Sequence, residues 1–536
     1  LNIAWRIREV SEAFPHKKSV IHAKDNSFYT FKEFEERSNQ LANRFVKLGL
    51  LPGMRTLLFV KPCLDFSVIT FALFKVGAVP VLIDPGMGVP HLLNSIKQVR
   101  PQALVSIPLV HWMRRLKKDF FSDVKIKISL GRVGGKTHYL YDDLSSEAKT
   151  FEPLQIDPSM TAAILFTSGG TGTPKGVLYT HGILNAQTDS LREMFSLNQS
   201  NIDLPGFPLF ALFTLAMGMT SVIPEMDPTR PAQCDPRKMV KNILDHQVTF
   251  VAGSPAIWER VGKFCIEKKL TLPTVKQVVM FGAPVRAEIH QMYKTILPNG
   301  DTYTPYGATE CLPVSLISGS EILKSHLPRM LQGYGTCVGR AIGGVQIKIL
   351  EVTDIPESQL IEVAPGEVGE IAVQGVQVTP GYFDLDDETR MAKIFHGGEL
   401  WHRMGDLGWV DHQGSLWFLG RKSHRVVTLD GTFYSIQMES IFNQHPQVRR
   451  SALVKLVINE KVFPGLVIER HDKKTKMTPT FLRELQNLKD STEFTKTIHQ
   501  FFLHDNFPVD VRHNIKIDRA KLSRWAQNQL FEARSS

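Results

Sequence analysis

Apolar positions in the first hundred residues fall into two alternating rhythms. Residues 31–48 (FKEFEERSNQLANRFVKL) carry Phe34, Leu41, Phe45 and Leu48 at helical spacing behind Thr30, a good N-cap, and so predict a helix with one apolar face. Residues 55–60 and 79–83 are short, mostly apolar runs of strand length, and 65–76 between them predicts a second helix. Strand-length runs recur at 103–106, 164–167, 250–252 and 278–281. Helices alternating with buried strands predict an α/β architecture with parallel-rich sheets.

The rhythm changes after about Gly344. Runs at 345–351, 370–374, 407–411 and 415–419 follow closely, with a tight turn at Asp411-His412-Gln413-Gly414, and predict a small antiparallel, β-barrel-like part. From Gly420-Arg421 a shorter mixture of helix and strand patterns runs to the end. This texture divides the chain into a large N-terminal domain, 1–420, and a small α+β C-terminal domain, 421–536.

One stretch has the length of a membrane span. Residues 204–224 (LPGFPLFALFTLAMGMTSVIP) contain no charge, but Pro205, Pro208, Pro224, Gly206 and Gly218 argue against one continuous helix. A buried loop and helix start is expected instead, with Phe207, Phe210 and Phe213 lining a core or an apolar cavity, and no transmembrane segment is predicted.

Composition narrows the partners. The 536 residues are 43% hydrophobic and 22% charged, which excludes a disordered or collagen-like chain. Lys and Arg number 63 against 53 Asp and Glu, a net charge of +10, which suits nucleic acid, an anionic membrane or a polyphosphate. Nucleic acid is set aside, because the basic residues form no single arm and no recognised binding motif is present. Residues 421–536 hold 20 Lys and Arg against 12 Asp and Glu, so most of the excess lies in the C-terminal fifth. Five scattered cysteines form no CxxC pair and are expected as reduced thiols, and no secretory leader pattern is visible, which together predict a cytoplasmic protein.

The chemistry begins at residues 164–181, ILFTSGGTGTPKGVLYTH. An apolar strand runs into Thr167, Ser168, Gly169, Gly170, Thr171 and Gly172, then Lys175. Glycines let the backbone approach an anion, hydroxyls and N–H groups can surround phosphate oxygens, and Lys175 adds positive charge. The spacing is neither the Walker loop nor the dinucleotide fingerprint.

These residues resemble the TSGTTGxPKG signature of the AMP-forming adenylating enzymes, which include acyl-CoA synthetases, luciferases and peptide synthetase adenylation domains; Gly170 replaces a Thr. Later motifs follow in that family's order and extend the resemblance over nearly the whole chain. It implies that Gly282, Ala283 and Pro284 of Phe281-Gly282-Ala283-Pro284 lie against adenine. Within YTPYGATE it implies that Tyr306 stacks on the base beside Gly307, that Thr309 contacts the α-phosphate, and that Glu310 ligates Mg²⁺. Asp406, in Met404-Gly405-Asp406-Leu407-Gly408, would accept both ribose hydroxyls, and Arg421 would reach ribose or phosphate. Lys516, in PVDVRHNIKIDR, aligns with the family's adenylation lysine. Ser423 and His424 depart from the usual hinge residues, and Ile515 stands where the family has glycine.

The implied first half-reaction joins two anions, a carboxylate and the α-phosphate of ATP, so Mg²⁺, Lys175 and Lys516 would screen the developing charge. In most relatives the C-terminal domain then rotates as a mobile lid to admit a second nucleophile. Acyl-CoA synthetases commonly carry a PLFH-like motif; here FPLFALF has Ala211 where that His would fall, with Phe207, Phe210 and Phe213 around it. The stretch FPLFALFTLAMGMTSVIPEMDPTRPA, with RHNIKIDRAKLSRWA, resembles the olefin β-lactone synthetases of bacterial long-chain hydrocarbon biosynthesis. That resemblance implies ATP-dependent conversion of a 2-alkyl-3-hydroxy fatty acid to a cis-β-lactone, with the substrate's own hydroxyl as nucleophile. It also implies a reductase and a decarboxylase as pathway neighbours. A medium- or long-chain acyl-CoA ligase is the alternative. An amino-acid adenylation domain fits less well, since residues 207–213 offer no acid to pair with an amine, and Lys175, Glu310, Asp406 and Arg421 argue against a non-catalytic binder.

Overall fold

A computed structural model describes residues 1–167, 173–356, 359–472, 477–498, 500–509 and 517–535, excepting the side chains of Thr167 and 532–535. The chain is a mixed α/β protein with parallel-rich sheets. A seven-stranded sheet runs in the order His138–Tyr139, Ile126–Ser129, Ala103–Ser106, Arg55–Phe59, Val79–Leu82, Thr161–Thr167 and Lys175–Thr180. Its neighbours are parallel except the last pair. Helix Phe31–Lys47 starts on the predicted cap, a capping box in which Thr30 and Glu33 satisfy each other's backbone N–H groups. Helix Leu64–Lys75 is buried from Asp65 to Lys75, so its sequence is apolar nearly all round.

A nine-stranded sheet carries most of the other parallel strands. At its centre Asp301–Ala308, Gln277–Met280, Phe250–Gly253 and Ile202–Pro205 lie side by side and parallel. The chain leaves their C-terminal ends at 309–310, 281–284, 254–256 and 206–208, and all four exits line one cavity. Ligands of open α/β sheets bind at such ends, where loops from neighbouring strands converge.

The predicted antiparallel part is a six-stranded sheet of Thr336–Cys337, Leu416–Arg421, Glu399–Val410, Gly369–Gln374 and Gln346–Leu350, with Lys393–His396 attached to Glu399–Val410. Its end strands do not pair with each other, so it is open and not a closed barrel. The strand expected at 407–411 is the end of the longer strand Glu399–Val410. Gly405 sits inside it at φ 65°, which interrupts the two-residue alternation and hides the strand from the sequence. The final hundred residues build a three-stranded sheet, Val448–Ile458, Lys461–Arg470 and Gln500–Leu503, covered by helices Ser435–Phe442, Pro479–Asp490 and Arg519–Ser535.

The uncharged stretch at 204–224 folds into the end of strand Ile202–Pro205, the short helix Phe210–Ala216 and strand Thr220–Ile223. Among the described residues no helix is long and apolar enough to cross a membrane. All five cysteines are free thiols, four of them buried.

Candidate active site

The cavity at the strand ends has a volume of about 2650 Å³. It collects residues from three sheets: Lys175 from the first, 281–284 and 306–310 from the second, and Asp406 and Arg421 from the third. Of the other expected site residues, Ser168 to Gly172 and Lys516 lie outside the described residues. The backbone of Thr167 ends its strand, and the neighbours of Lys516 in sequence, Ile517 and Arg519, line the cavity.

Two carboxylates anchor the polar wall. Asp406 and Arg421 are direct partners across adjacent strands, which places Arg421 Nη1 3.1 Å from Asp406 Oδ1. Tyr306 Oη donates to Asp406 Oδ2 at 2.7 Å. Burial pushes the Asp406 carboxyl above its ordinary pKa, and Arg421 opposes that shift. Asp406 Oδ1 is buried and makes no hydrogen bond of acceptable geometry despite the nearby guanidinium. A carboxylate at the cavity lining is acceptor-only and is suited to accept from hydroxyl groups.

Glu310 is fixed by a residue the sequence did not single out. Tyr382 Oη donates to Glu310 Oε1 at 2.8 Å, while the Thr379 N–H and Oγ1 hold the Glu310 carbonyl at 2.9 and 3.0 Å. Tyr382 reaches this point because the segment 381–383 is pinned on strand Lys175–Thr180: the Leu178 N–H donates to Gly381 and the Phe383 N–H to Gly176. The Lys175 ammonium lies over the Tyr382 ring, 4.9 Å from its centroid. Tyr179 of the same strand donates to the Thr309 carbonyl at 2.6 Å. Lys175, Tyr382, Glu310 and Thr309 therefore form one supported group.

Behind them stand two more groups that sequence reasoning missed. Burial lowers the Lys393 amine to about 8, with Glu310 opposing the shift. Burial also holds the His402 ring well below its ordinary pKa, with Lys393 adding to the effect. Neither residue lies in a recognisable motif. Tyr382 follows an ordinary Pro380-Gly381 turn, so only its contacts reveal it.

The apolar wall is aromatic. Phe210 stacks on Phe250 and Phe281 with centroids 5.8 and 6.0 Å apart, and Phe213 meets it edge-on at 6.2 Å. Phe207, Phe210 and Phe213 line the cavity as expected. Ala211 does not: one residue on from Phe210 around the helix, it is buried in the core with Leu215 and Ala216. Gly282, between Phe281 and Ala283, has φ 89° and turns the chain across the strand end.

After Arg421 the side chains diverge. Lys422 turns from the cavity's centre to Glu370, at 3.2 Å, and the Thr353 carbonyl, joining the buried Arg403–Glu370 pair. The His424 ring is driven down to about 3 by burial and by Arg519 and Arg421.

Known proteins agree with this architecture. Residues 7–383 match the model of the family described as AMP-binding enzyme. The chain is 40% identical over 514 residues to an olefin beta-lactone synthetase of Xanthomonas campestris pv. campestris, covering 93% of this chain and 91% of the relative. It is 38% identical over 511 residues to the olefin beta-lactone synthetase of Stenotrophomonas maltophilia, with the same coverage. Among solved structures, ATP-bound MatB from Rhodopseudomonas palustris superposes with a TM-score of 0.80 at 21% identity, over 98% of this chain and 99% of that one. The amide bond synthetase McbA from Marinactinospora thermotolerans gives 0.81 at 21%, with the same coverage. By its family match, and by its identity to relatives over nearly its whole length, the chain belongs to the AMP-binding enzyme family.

Proposed function

We propose that this protein uses ATP to activate a 2-alkyl-3-hydroxyalkanoate and closes it to a cis-β-lactone, releasing AMP and pyrophosphate. The observation that carries this reading is the 40% identity over 93% of the chain to an olefin beta-lactone synthetase. In the first step a carboxylate oxygen bonds to the α-phosphorus and the bond to pyrophosphate breaks. In the second, the substrate's 3-hydroxyl oxygen bonds to the activated carbonyl carbon, its proton departs, and AMP leaves with the former carboxylate oxygen. The attack is intramolecular, so a cavity that holds the 3-hydroxyl against the activated carbonyl carbon supplies most of what the second step needs.

The polar wall suits the nucleotide. In this proposal Gly282, Ala283, Pro284 and Tyr306 receive the adenine, and the Asp406 carboxylate accepts from ribose with Arg421 beside it. Lys175 and Thr309, with the segment 167–172, take the phosphates, and Lys516 joins them from the C-terminal region. The same proposal divides the chain into 1–420 and a basic lid, 421–536, and places a fatty chain along Phe207, Phe210 and Phe213.

Glu310 fits a role as the Mg²⁺ ligand. Among the described residues no group of three or more His, Cys, Asp or Glu could hold an ion alone. Magnesium is commonly bound by one or two carboxylates together with substrate phosphates. When bound it would screen phosphate charge, while Tyr382 keeps the Glu310 carboxylate oriented toward the cavity.

The test is a reaction without coenzyme A. With ATP, Mg²⁺ and a 2-alkyl-3-hydroxy acid, mass spectrometry should detect the β-lactone and AMP. A product that forms only with coenzyme A, and as a thioester, would make the protein an acyl-CoA ligase.

A further inference from the structure

Helix Pro108–Leu116 carries apolar residues on two faces. Val110 and Met113 pack inward on the core around Leu92 and Ile96, and His111 is buried with a ring nitrogen 3.0 Å from the Ile128 carbonyl. The opposite stripe is Leu109, Trp112 and Leu116, spaced i, i+3, i+7, and these side chains are 71, 57 and 82% exposed. A tryptophan and two leucines on one exposed stripe of a nine-residue helix need a partner or an apolar boundary.

The charges around the stripe indicate which. Arg114, Arg115, Lys117 and Lys118 follow one another at the helix's C-terminal end, against Asp119 and Asp123 just beyond. The Arg115 guanidinium lies over the Trp112 ring at 4.8 Å and donates to the Gly134 carbonyl. That bond brings alongside the loop carrying exposed Arg132, which is paired with Asp142, and exposed Lys136. Aromatic and aliphatic side chains flanked by cations match the boundary of a bilayer whose headgroups are anionic.

Position supplies the second argument. Leu109, Val110 and Met113 also line the cavity, together with Ile107. The exposed stripe therefore begins at the cavity's rim and leads away from it.

We propose that helix Pro108–Leu116 docks on the surface of an anionic phospholipid bilayer. Trp112 and Leu116 enter the headgroup boundary, Arg115, Lys117, Lys118 and Lys136 engage lipid phosphates while Arg114, whose Nε is buried, stays on the inward face, and the cavity opens beside the membrane where a long-chain acid partitions. The delivery of substrate rests on the function proposed above; the docking does not.

Sedimentation of the full chain with vesicles tests it. Binding is expected to vesicles of phosphatidylcholine mixed with phosphatidylglycerol, to weaken with added salt, and to be absent with phosphatidylcholine alone. The double variant Trp112→Ser/Leu116→Ser should lower the partition constant about tenfold or more, because both side chains lose their buried apolar area. Lys117→Glu/Lys118→Glu, which leaves the apolar stripe intact, should lower it about fivefold per lysine. Equal binding to both vesicle types, no binding to either, or variants that bind like the parent would overturn the proposal. So would a self-association that Trp112→Ser/Leu116→Ser abolishes, since the stripe would then cover a second copy. Vesicle binding by a chain that makes no lactone would leave the docking standing and remove the proposed reaction.

Discussion

The two walls of the cavity are built by opposite means. The polar wall is assembled from distant parts of the chain: Tyr306 meets Asp406, Tyr382 meets Glu310 and Lys175, and Tyr179 meets Thr309, each pair coming from different strands or loops. The apolar wall is assembled from Phe207, Phe210 and Phe213, which are close in sequence, with Phe210 stacked on Phe250 and Phe281. Hydrogen bonds and ion pairs are directional, so the polar wall requires every partner in place; aromatic packing tolerates substitution by volume. Changes at the polar wall should therefore destroy chemistry and leave the fold, and changes at the apolar wall should weaken the fold and shift substrate preference.

The largest effects are expected at Glu310 and Lys175. Glu310→Gln and Lys175→Ala should each slow AMP release about 100- to 1000-fold, as removal of a preorganised charge at a transition state does elsewhere, with the urea midpoint nearly unchanged. A drop below tenfold would place those side chains outside the chemistry. Asp406→Asn comes next: losing charge-assisted bonds worth about 1.5 to 3 kcal/mol should raise the KM for ATP by about 10- to 100-fold with a smaller change in kcat. Steady-state kinetics with varied ATP would reveal it, and an effect confined to the acid substrate would contradict the assignment.

At the other wall, Phe210→Ala should cost about 2 kcal/mol of stability, below the usual range for a buried Phe because the ring is only partly buried. Urea unfolding measures the cost, and the KM for a long-chain acid should rise while that for ATP holds.

The smallest effect concerns Lys393. Its amine is lowered from 10.5 to about 8 in the folded chain, so the unfolded chain binds the extra proton between those values and stability rises with pH across that window. Below pH 8 both states are protonated and the full cost of burying the charge is present. Lys393→Met should therefore gain less stability than the parent between pH 8 and 10.5, by about 1 to 3 kcal/mol. Lys17 and Lys75, also lowered to about 8, contribute to the parent curve and to the variant's equally, so the difference isolates Lys393. Parallel curves would show that the amine is solvated.

The same contrast explains what could be seen in the sequence. Helix Phe31–Lys47 is legible from its periodic apolar face, and strands Arg55–Phe59, Ala103–Ser106 and Phe250–Gly253 from mostly apolar runs, whereas Ile202–Pro205 and Asp301–Ala308, which carry polar residues and prolines, are not. Strand Glu399–Val410 was seen only at its end, because Gly405 breaks the alternation. Lys175, Tyr306, Glu310, Asp406 and Arg421 stand in contiguous motifs, and the fold brings them to one cavity. Tyr382, Lys393 and His402 do not; they reach the site through pairing between elements far apart in the chain, which no local spacing encodes. Ala211 shows the converse: it stands where the PLFH-like motif has His, but about 100° around the helix from Phe210 it is buried in the core and does not line the cavity.

The central claim is that the carboxylate is activated as an adenylate and the substrate's own hydroxyl closes the ring. Oxygen-18 tracing tests it most directly. A 2-alkyl-3-hydroxy acid labelled in both carboxylate oxygens, turned over with ATP in the absence of coenzyme A, should deliver one label to the phosphate of AMP and keep the other in the lactone carbonyl, the ring oxygen coming from the unlabelled hydroxyl. Label absent from AMP, with both carboxylate oxygens retained in the lactone, would mean that the hydroxyl and not the carboxylate is activated, and would contradict the mechanism.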